Sequence, residues 1–171
     1  MSVAEKTEVL ELPSLIAGEA VGGDLLDVIY LYTGEVAGRV RQVDGVGLEQ
    51  ALDATQPVEM SLWDRHEVLN NARGLLAERA EEFAQLIRGE AGLCMRETRY
   101  EVGRSQDVLQ FAAMEALRDD GQIFSCDVSP QGQARKIFTL REPLKLVAAI
   151  TPFNHPLNQV AHKLSPAIAA G

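Results

Sequence analysis

The clearest pattern in the chain is a helical repeat of apolar side chains between Ser61 and Gly89. Its members recur about every 3.6 residues: Leu62, Leu69, Ala72, Leu76, Ala80, Phe83 and Ile87. Ser61, followed by Asp64 three residues later, has the form of a capping box, in which each side chain bonds to the backbone N–H of the other residue. The pattern therefore predicts one long amphipathic helix that begins after Ser61 and ends at Gly89.

Three further helices are predicted around this one. Asp44 can cap a helix whose apolar residues are Val46, Leu48, Ala51 and Leu52. Another runs from about Arg96 to Leu117 and ends at Asp120 and Gly121, a common C-terminal signature. The last begins at Pro156, because the fixed φ of proline suits the first turn of a helix. Its apolar residues are Leu157, Val160, Ala161, Leu164 and Ile168.

Short strands are predicted on the N-terminal side of these helices. Residues 14–17 and 26–30 have the composition of strands. A turn at residues 32–35 joins the second of them to residues 36–40 and predicts a β-hairpin.

Strand signals return after the third predicted helix. Residues 123–128 and 135–140 flank a turn at Ser129–Gly132 and predict a second hairpin, and the apolar run Val147–Ile150 predicts a strand just before the last helix. The chain shows no internal repeat or linker-like segment. Alternating strands and helices of this kind indicate an α/β fold.

Composition agrees with a globular chain. The 171 residues are 46% hydrophobic, enough for a core, with no run long enough to cross a bilayer and no leader-like N-terminus, so a soluble, cytoplasmic protein without a membrane partner is expected. Cys94 and Cys126 are too few and too far apart for a disulfide framework or a zinc site. His162 has no carboxylate within one helical turn and His66 is expected at the surface, so no metal site is predicted.

The net charge of −9 is unevenly distributed. The last 51 residues contain five basic residues and two acidic ones, so the acidic excess lies in the first 120 residues. Acidity on this scale argues against a nucleic-acid partner. The basic segment suits an anionic ligand, although scattered cations are more often solvated surface.

Candidate chemistry concentrates where the last predicted strand meets the last helix. Asn154 lies between Pro152 and Pro156, at a strand end that feeds a helix, the position where α/β folds bind ligands. Taken alone, an asparagine between prolines is more often a turn former.

The run from Arg141 to Leu157 resembles an aldehyde dehydrogenase superfamily segment, in which a proline, usually a tryptophan, and an asparagine precede an aromatic residue and a second proline. The continuation from Lys163 to Gly171 resembles it as well. The resemblance implies that the Asn154 amide stabilises the oxyanion of the reacting aldehyde. It also implies that Thr151, Pro152 and Phe153 flank the nicotinamide of NAD or NADP, with Phe153 in place of the usual tryptophan.

The resemblance extends to the last residue of the sequence, Gly171. The residues that follow this segment in the family, including a glutamate base and a cysteine nucleophile, are absent. The chain is therefore expected to be the N-terminal part of the aldehyde dehydrogenase fold, truncated before the main cofactor-binding sheet is complete. Alone, it is expected to be inactive. Neither Cys94 nor Cys126 is a candidate nucleophile, since no histidine or helix start is predicted beside it. Two alternatives remain: a non-catalytic oligomerisation or regulatory module, and a plain α/β ligand-binding domain.

The resemblance also implies a division of the chain. Residues 1–121 would form an N-terminal hairpin and three helices that flank the cofactor domain, residues 122–142 an oligomerisation hairpin, and residues 143–171 the start of the strand–loop–helix unit that bears Asn154. The exposed edges of the second hairpin favour a homodimer or homotetramer of the complete protein.

Two residues suggest the class of aldehyde. The segments 98–119, 120–127 and 150–156 resemble phosphonoacetaldehyde dehydrogenases most, and relatives that oxidise phosphorylated or phosphonylated aldehydes have an arginine at the place of Arg104. His155 replaces a usual phenylalanine or tyrosine and could donate to the same anion. The alternatives are a solvated Arg104 paired with Glu101 or Asp107, and a half-buried histidine at a helix start.

Overall fold

The structure, a computed structural model, describes residues 9–56, 58–118 and 120–171. The predicted first segment, residues 1–121, therefore includes some positions outside the described residues. In chain order the elements are β1 (Leu10–Leu12), β2 (Ser14–Ile16), β3 (Glu19–Val21), β4 (Leu25–Ile29), β5 (Val36–Arg41), α1 (Gly45–Ala54), α2 (Leu62–Glu78), α3 (Ala80–Ala91), α4 (Met95–Glu115), β6 (Ile123–Ser125), β7 (Lys136–Phe138) and α5 (Pro156–Ala170).

The first predicted hairpin is confirmed as the antiparallel pair β4 and β5. Its turn is closed by hydrogen bonds between Tyr30 and Glu35 and from Gly34 to Tyr30. Gly34 adopts a φ of 76°, which glycine accommodates without steric cost. Two strands were not predicted: β1 adds to β5 in parallel, and β3 forms a small hairpin with β2.

The predicted single helix from Ser61 to Gly89 is wrong in one respect. The capping box of Ser61 and Asp64 is present, but the helix ends at Glu78, and α3 starts at Ala80, after the single residue Arg79. Arg79 leaves the helical conformation, with φ −105° and ψ 18°, and its guanidinium pairs with Glu82 at 2.6 Å. The apolar period gave no sign of the break because it continues in phase across it. The second part extends past Gly89 to Ala91.

Helix α4 is the centre of the helical layer, since α2, α3 and α5 all pack against it. Two buried clusters hold the helices together: Leu69 with Ala112, Ala113 and Ala116, and Leu76 with Ala84, Ile87 and Val102. At the surface, the Arg99 guanidinium on α4 bonds to Glu81 on α3 at 2.8 Å and lowers the pKa of that carboxyl group. The helix ends at Glu115, before the predicted stop at Asp120 and Gly121.

The second predicted hairpin is confirmed, although its strands are shorter than predicted. Strands β6 and β7 pair antiparallel through three residues each. All six of these residues are exposed, and Ile123 retains 88% of its accessible surface.

The strand predicted at Val147–Ile150 is not formed. Residues 147–150 carry no strand pairing, and Ile150 is 83% exposed. A β-strand is stabilised by hydrogen bonds to a neighbouring strand, and none of the described strands lies beside this run. The helix predicted after Pro156 is confirmed as α5.

Candidate active site

The predicted oxyanion residue lies in the short loop that enters α5. Residues 151–155 form this loop, and all five are exposed. The helix begins at Pro156, and its first backbone hydrogen bond runs from the N–H of Gln159 to the carbonyl oxygen of His155, at 3.0 Å. The loop therefore leaves the Asn154 side chain directly before a rigid helix, with its amide accessible.

His155 gives the loop its shape. It has φ 51° and ψ 58°, a left-handed conformation that costs a non-glycine residue about 1–2 kcal/mol. The right-handed helical region is also disfavoured here, because Pro156 follows. Contacts elsewhere in the fold must therefore hold this turn.

Those contacts come from one buried carboxylate, Glu101 on α4, which is 1% exposed. Its Oε1 accepts the backbone N–H groups of Leu157 and Asn158 at 2.9 and 3.0 Å, and its Oε2 lies 3.3 Å from Nδ1 of His155. The first N–H groups of a helix have no partner within the helix and carry partial positive charge. Glu101 therefore caps α5 from a neighbouring helix and anchors the loop.

Sequence analysis missed this role, because it considered Glu101 only as a surface partner of Arg104. The alternative pairing of Arg104 with Glu101 is wrong, because the Glu101 carboxylate is bonded to the start of α5. A signal was present in the sequence: Glu101 belongs to a buried stripe on α4 with Thr98, Val102 and Ser105 at helical spacing. A glutamate in such a stripe is almost never buried unless it is paired.

The buried residues around Glu101 include further polar side chains, most of which have hydrogen-bond partners. The hydroxyl groups of Thr98 and Ser105 donate to the carbonyl oxygens of Met95 and Glu101, at 3.1 and 3.0 Å. The side-chain Oδ1 of Asn158 is buried and accepts no hydrogen bond from the described residues.

Arg104 lies one helical turn beyond Glu101 and is exposed. Its guanidinium carbon is 5.9 Å from the centroid of the Tyr100 ring, within cation–π range. Within residues 9–56, 58–118 and 120–171 it forms no ion pair, so the predicted alternative pairing with Asp107 is absent as well. The guanidinium keeps its donors available.

The alternative for His155 was a half-buried histidine at a helix start. His155 is the N-cap residue of α5, but it is exposed, with 48% of its side chain accessible. Nδ1 faces Glu101, and Nε2 has no hydrogen-bond partner among the described residues. This geometry leaves one ring nitrogen for a ligand.

Two other predictions need correction. His66 is half-buried, not at the surface: its Nδ1 donates to the carbonyl oxygen of Ala113 at 2.7 Å, and its Nε2 accepts from Asn70 at 2.8 Å. Cys94 does lie at a helix start, because it is the N-cap residue of α4. It is exposed and makes no side-chain capping bond, and nothing further points to a nucleophile.

A cavity of about 480 Å³ lies between α2, α4 and α5. Its lining includes Arg65, Phe111, Arg141 and His162, but none of residues 151–155 and not Arg104. Over the described part of the chain, no helix has the length and apolarity to span a membrane, and no cluster of three metal-binding side chains is found.

Phe153, for which the sequence predicts a contact with the nicotinamide, is 97% exposed. An exposed aromatic face can pack against another planar ring.

Comparison with known proteins supports the expected fold. The model of the aldehyde dehydrogenase family matches residues 19–171. A 3-sulfolactaldehyde dehydrogenase of Priestia megaterium is 36% identical over 169 residues, covering 96% of this chain and 35% of the relative. A lactaldehyde dehydrogenase of Methanocaldococcus jannaschii is 32% identical over 161 residues, covering 91% of this chain and 34% of the relative. The chain thus spans about a third of the length of these relatives.

Solved structures give the same result. Aldehyde dehydrogenase 21 from Physcomitrella patens, in complex with the reaction product succinate, superposes with a TM-score of 0.89 at 32% identity, over 96% of this chain and 36% of that one. NADP-dependent glyceraldehyde-3-phosphate dehydrogenase from Bacillus halodurans, complexed with NADP, superposes with a TM-score of 0.86 at 27% identity, over 95% of this chain and 36% of that one.

Proposed function

The chain belongs to the aldehyde dehydrogenase family, and from this premise we propose that it is the N-terminal portion of an NAD- or NADP-dependent enzyme that oxidises a small aldehyde to its acid. In this proposal residues 1–121 flank the cofactor domain, residues 122–142 form an oligomerisation hairpin, and residues 143–171 begin the unit that bears the oxyanion asparagine. The nucleophilic cysteine and the glutamate base lie outside these 171 residues.

The observation that carries the proposal is the anchored loop before α5. A thiolate that adds to an aldehyde carbon forms an S–C bond and moves the carbonyl electron pair onto oxygen. The Asn154 NH2 group can donate to that oxygen at every stage, because an amide does not titrate. A fixed donor of this kind contributes about 3 kcal/mol to transition-state stabilisation. The Glu101 contacts with His155, Leu157 and Asn158 supply the fixation.

Bound NAD or NADP would supply the hydride acceptor. In this proposal Thr151, Pro152 and Phe153 pack against the nicotinamide, and the exposure of the Phe153 ring supports that role. The similar Bacillus halodurans enzyme is NADP-dependent and was solved in complex with NADP, which supports the same cofactor class.

The substrate we propose carries a tetrahedral anionic group, which Arg104 and His155 bind. Arg104 is exposed and without an ion pair among the described residues, and His155 has Nε2 available. A guanidinium matches tetrahedral oxyanions with two parallel hydrogen bonds. Phosphonoacetaldehyde is the first candidate, on the sequence resemblance. The second is 3-sulfolactaldehyde, because a relative that is 36% identical is named for oxidising it.

Oligomerisation is proposed through β6 and β7. Their residues are exposed, and apolar side chains such as Ile123, at 88% exposure, and Phe138, at 65%, are costly to leave in water. An unpaired strand edge also offers backbone groups to a second chain. A homodimer or homotetramer of the complete protein would cover both the apolar side chains and the strand edge.

The 171-residue chain by itself is expected to associate and to show no NAD- or NADP-dependent aldehyde oxidation. The segment around Val147 and Ile150 exposes apolar surface without a partner strand, and exposed apolar patches drive association. Size-exclusion chromatography with light scattering and a cofactor-reduction assay check this. Turnover by the purified chain would contradict the proposal that the reacting residues lie outside it.

The remaining alternative is a non-catalytic oligomerisation or regulatory module. The DNA sequence downstream of codon 171 distinguishes the enzyme from this module. An in-frame continuation that encodes a glycine-bearing turn, a glutamate and a cysteine supports the enzyme, whereas a stop codon supports the module.

A further inference from the structure

We propose that Glu101 is a positioning residue that fixes both the Asn154 loop and the protonation pattern of His155. The proposal rests on the proposed function, because it concerns how that site is held. Glu101 lies on α4, more than fifty residues before the loop, and its side chain is completely buried. It reaches the loop through three contacts, at 2.9, 3.0 and 3.3 Å.

The first consequence concerns Asn154. The Oε1 contacts hold the backbone of Leu157 and Asn158, and the Oε2 contact holds the strained His155 next to Asn154. Without the carboxylate, two N–H groups at the start of α5 would lose their acceptor and the left-handed turn would lose its support. A displacement of a catalytic donor by about 1 Å can lower the rate about 100-fold.

The second consequence concerns which nitrogen of His155 carries hydrogen. A carboxylate only accepts hydrogen bonds, so the contact with Glu101 requires the hydrogen on Nδ1. Neutral His155 then has a bare lone pair at Nε2, which repels an anionic substrate. Only the charged imidazolium has an N–H at Nε2. Glu101 therefore makes anion binding by His155 depend on the charge of the ring.

The charged groups around this pair are few. Glu101 on α4 is the charged side chain in hydrogen-bond contact with His155, and within the described part of the chain no other ion pair reaches that ring. Arg104 lies one turn further along α4 and is exposed. Because only the imidazolium has an N–H at Nε2, the affinity of wild-type enzyme for an anionic aldehyde should be lower when the ring is neutral than when it is charged.

The decisive variant is Glu101→Gln, which has almost the same shape. Its oxygen can still accept from Leu157 and Asn158, but its NH2 group now donates to Nδ1 of His155. The neutral ring then carries its hydrogen on Nε2 and can bind the anion without being charged. The test uses the complete protein, 3-sulfolactaldehyde, and lactaldehyde as the matched aldehyde without the sulfonate. A sulfonate keeps one negative charge at every pH of the experiment. A phosphonate would resemble phosphate, whose second pKa near 6 would change the charge of the substrate as the pH is varied.

In wild type, KM for 3-sulfolactaldehyde, or Ki where turnover is slow, is expected to rise about tenfold across a series of increasing pH as the charged donor is lost. In Glu101→Gln the rise is expected to be about threefold or less, because a neutral donor remains. Lactaldehyde should show neither change. Glu115→Gln, an exposed carboxylate variant on the same helix, is the control and should match wild type. An unchanged pH profile in Glu101→Gln would overturn the tautomer assignment.

Glu101→Ala tests the positioning of the loop. Its kcat is expected to fall about 100-fold, with faster hydrogen exchange at the amides of Leu157 and Asn158. A kcat within a few fold of wild type, with Asn154→Ala severely impaired in parallel, would overturn the positioning role and leave the proposed function intact. If Asn154→Ala also retained kcat, the proposed function itself would fail. If Glu101→Ala does not fold, the pH profile of Glu101→Gln decides alone.

Discussion

Replacing Asn154 with alanine in the complete enzyme is expected to lower kcat by about two to three orders of magnitude, as loss of one oxyanion donor does. The reason is that the amide lies in an exposed loop directly before α5, where its donation to the oxygen strengthens as negative charge develops in the transition state. Interactions made in the transition state change kcat, whereas those made equally in the ground state change KM. Cofactor affinity should change little, because the backbone of the loop is held by Glu101 and not by the Asn154 side chain.

Steady-state kinetics with saturating cofactor measure this effect. Asn71→Ala, an exposed asparagine on α2, is the matched control and should leave kcat unchanged. If Asn154→Ala retained kcat within a few fold of wild type, the asparagine would be a turn former and no more.

The second large effect is expected at Arg104. Arg104→Ala should raise KM for 3-sulfolactaldehyde and phosphonoacetaldehyde far more than for lactaldehyde, because a charge-assisted contact to an anionic group is worth about 1.5–3 kcal/mol, or roughly 10- to 150-fold. Arg104→Lys should recover only part of this loss, since an ammonium keeps the charge but not the planar fork. His155→Ala should show the same selectivity at low pH and less of it as pH rises.

The matched pair of aldehydes makes the Arg104 measurement selective. Lactaldehyde shares the carbon skeleton of 3-sulfolactaldehyde, so a general disturbance of the site would affect both equally. Arg96→Ala removes another exposed arginine from α4 and should affect neither. Equal losses for charged and uncharged aldehydes in Arg104→Ala would remove the anionic substrate class from the proposal and leave a generic aldehyde dehydrogenase.

The parts of the fold that local chemistry determines could be predicted from the sequence. The capping box of Ser61 and Asp64 and the cap at Asp44 both depend on residues within one turn of each other. The two predicted hairpins, β4–β5 and β6–β7, likewise follow from turn residues between strand-like runs. These features are present because their stabilising contacts are short in sequence.

Features that depend on distant partners could not be predicted in the same way. The break at Arg79 interrupts an apolar pattern that continues unchanged across it. The run Val147–Ile150 has the composition of a strand, but a strand needs a neighbour, and the described residues offer none. Local propensity alone determines neither feature.

In the candidate site, too, the contiguous residues could be recognised from the sequence and the distant one could not. Asn154 and its two prolines are contiguous, so the motif could be recognised, although its catalytic role remains a prediction. Glu101 is separated from the loop by more than fifty residues, and only the packing of α4 against α5 brings it to His155. Its burial could have been suspected from its place in the stripe of Thr98, Val102 and Ser105, but its partners could not.

We propose that this chain is part of an NAD- or NADP-dependent aldehyde dehydrogenase for small anionic aldehydes. The decisive measurement is the formation of NADH or NADPH when the complete protein is mixed with each cofactor and with phosphonoacetaldehyde, 3-sulfolactaldehyde or lactaldehyde. We expect reduction of a cofactor, with kcat/KM at least about tenfold higher for an anionic aldehyde than for lactaldehyde, the difference that one charge-assisted contact provides. No reduction of either cofactor with any of the three aldehydes would contradict it.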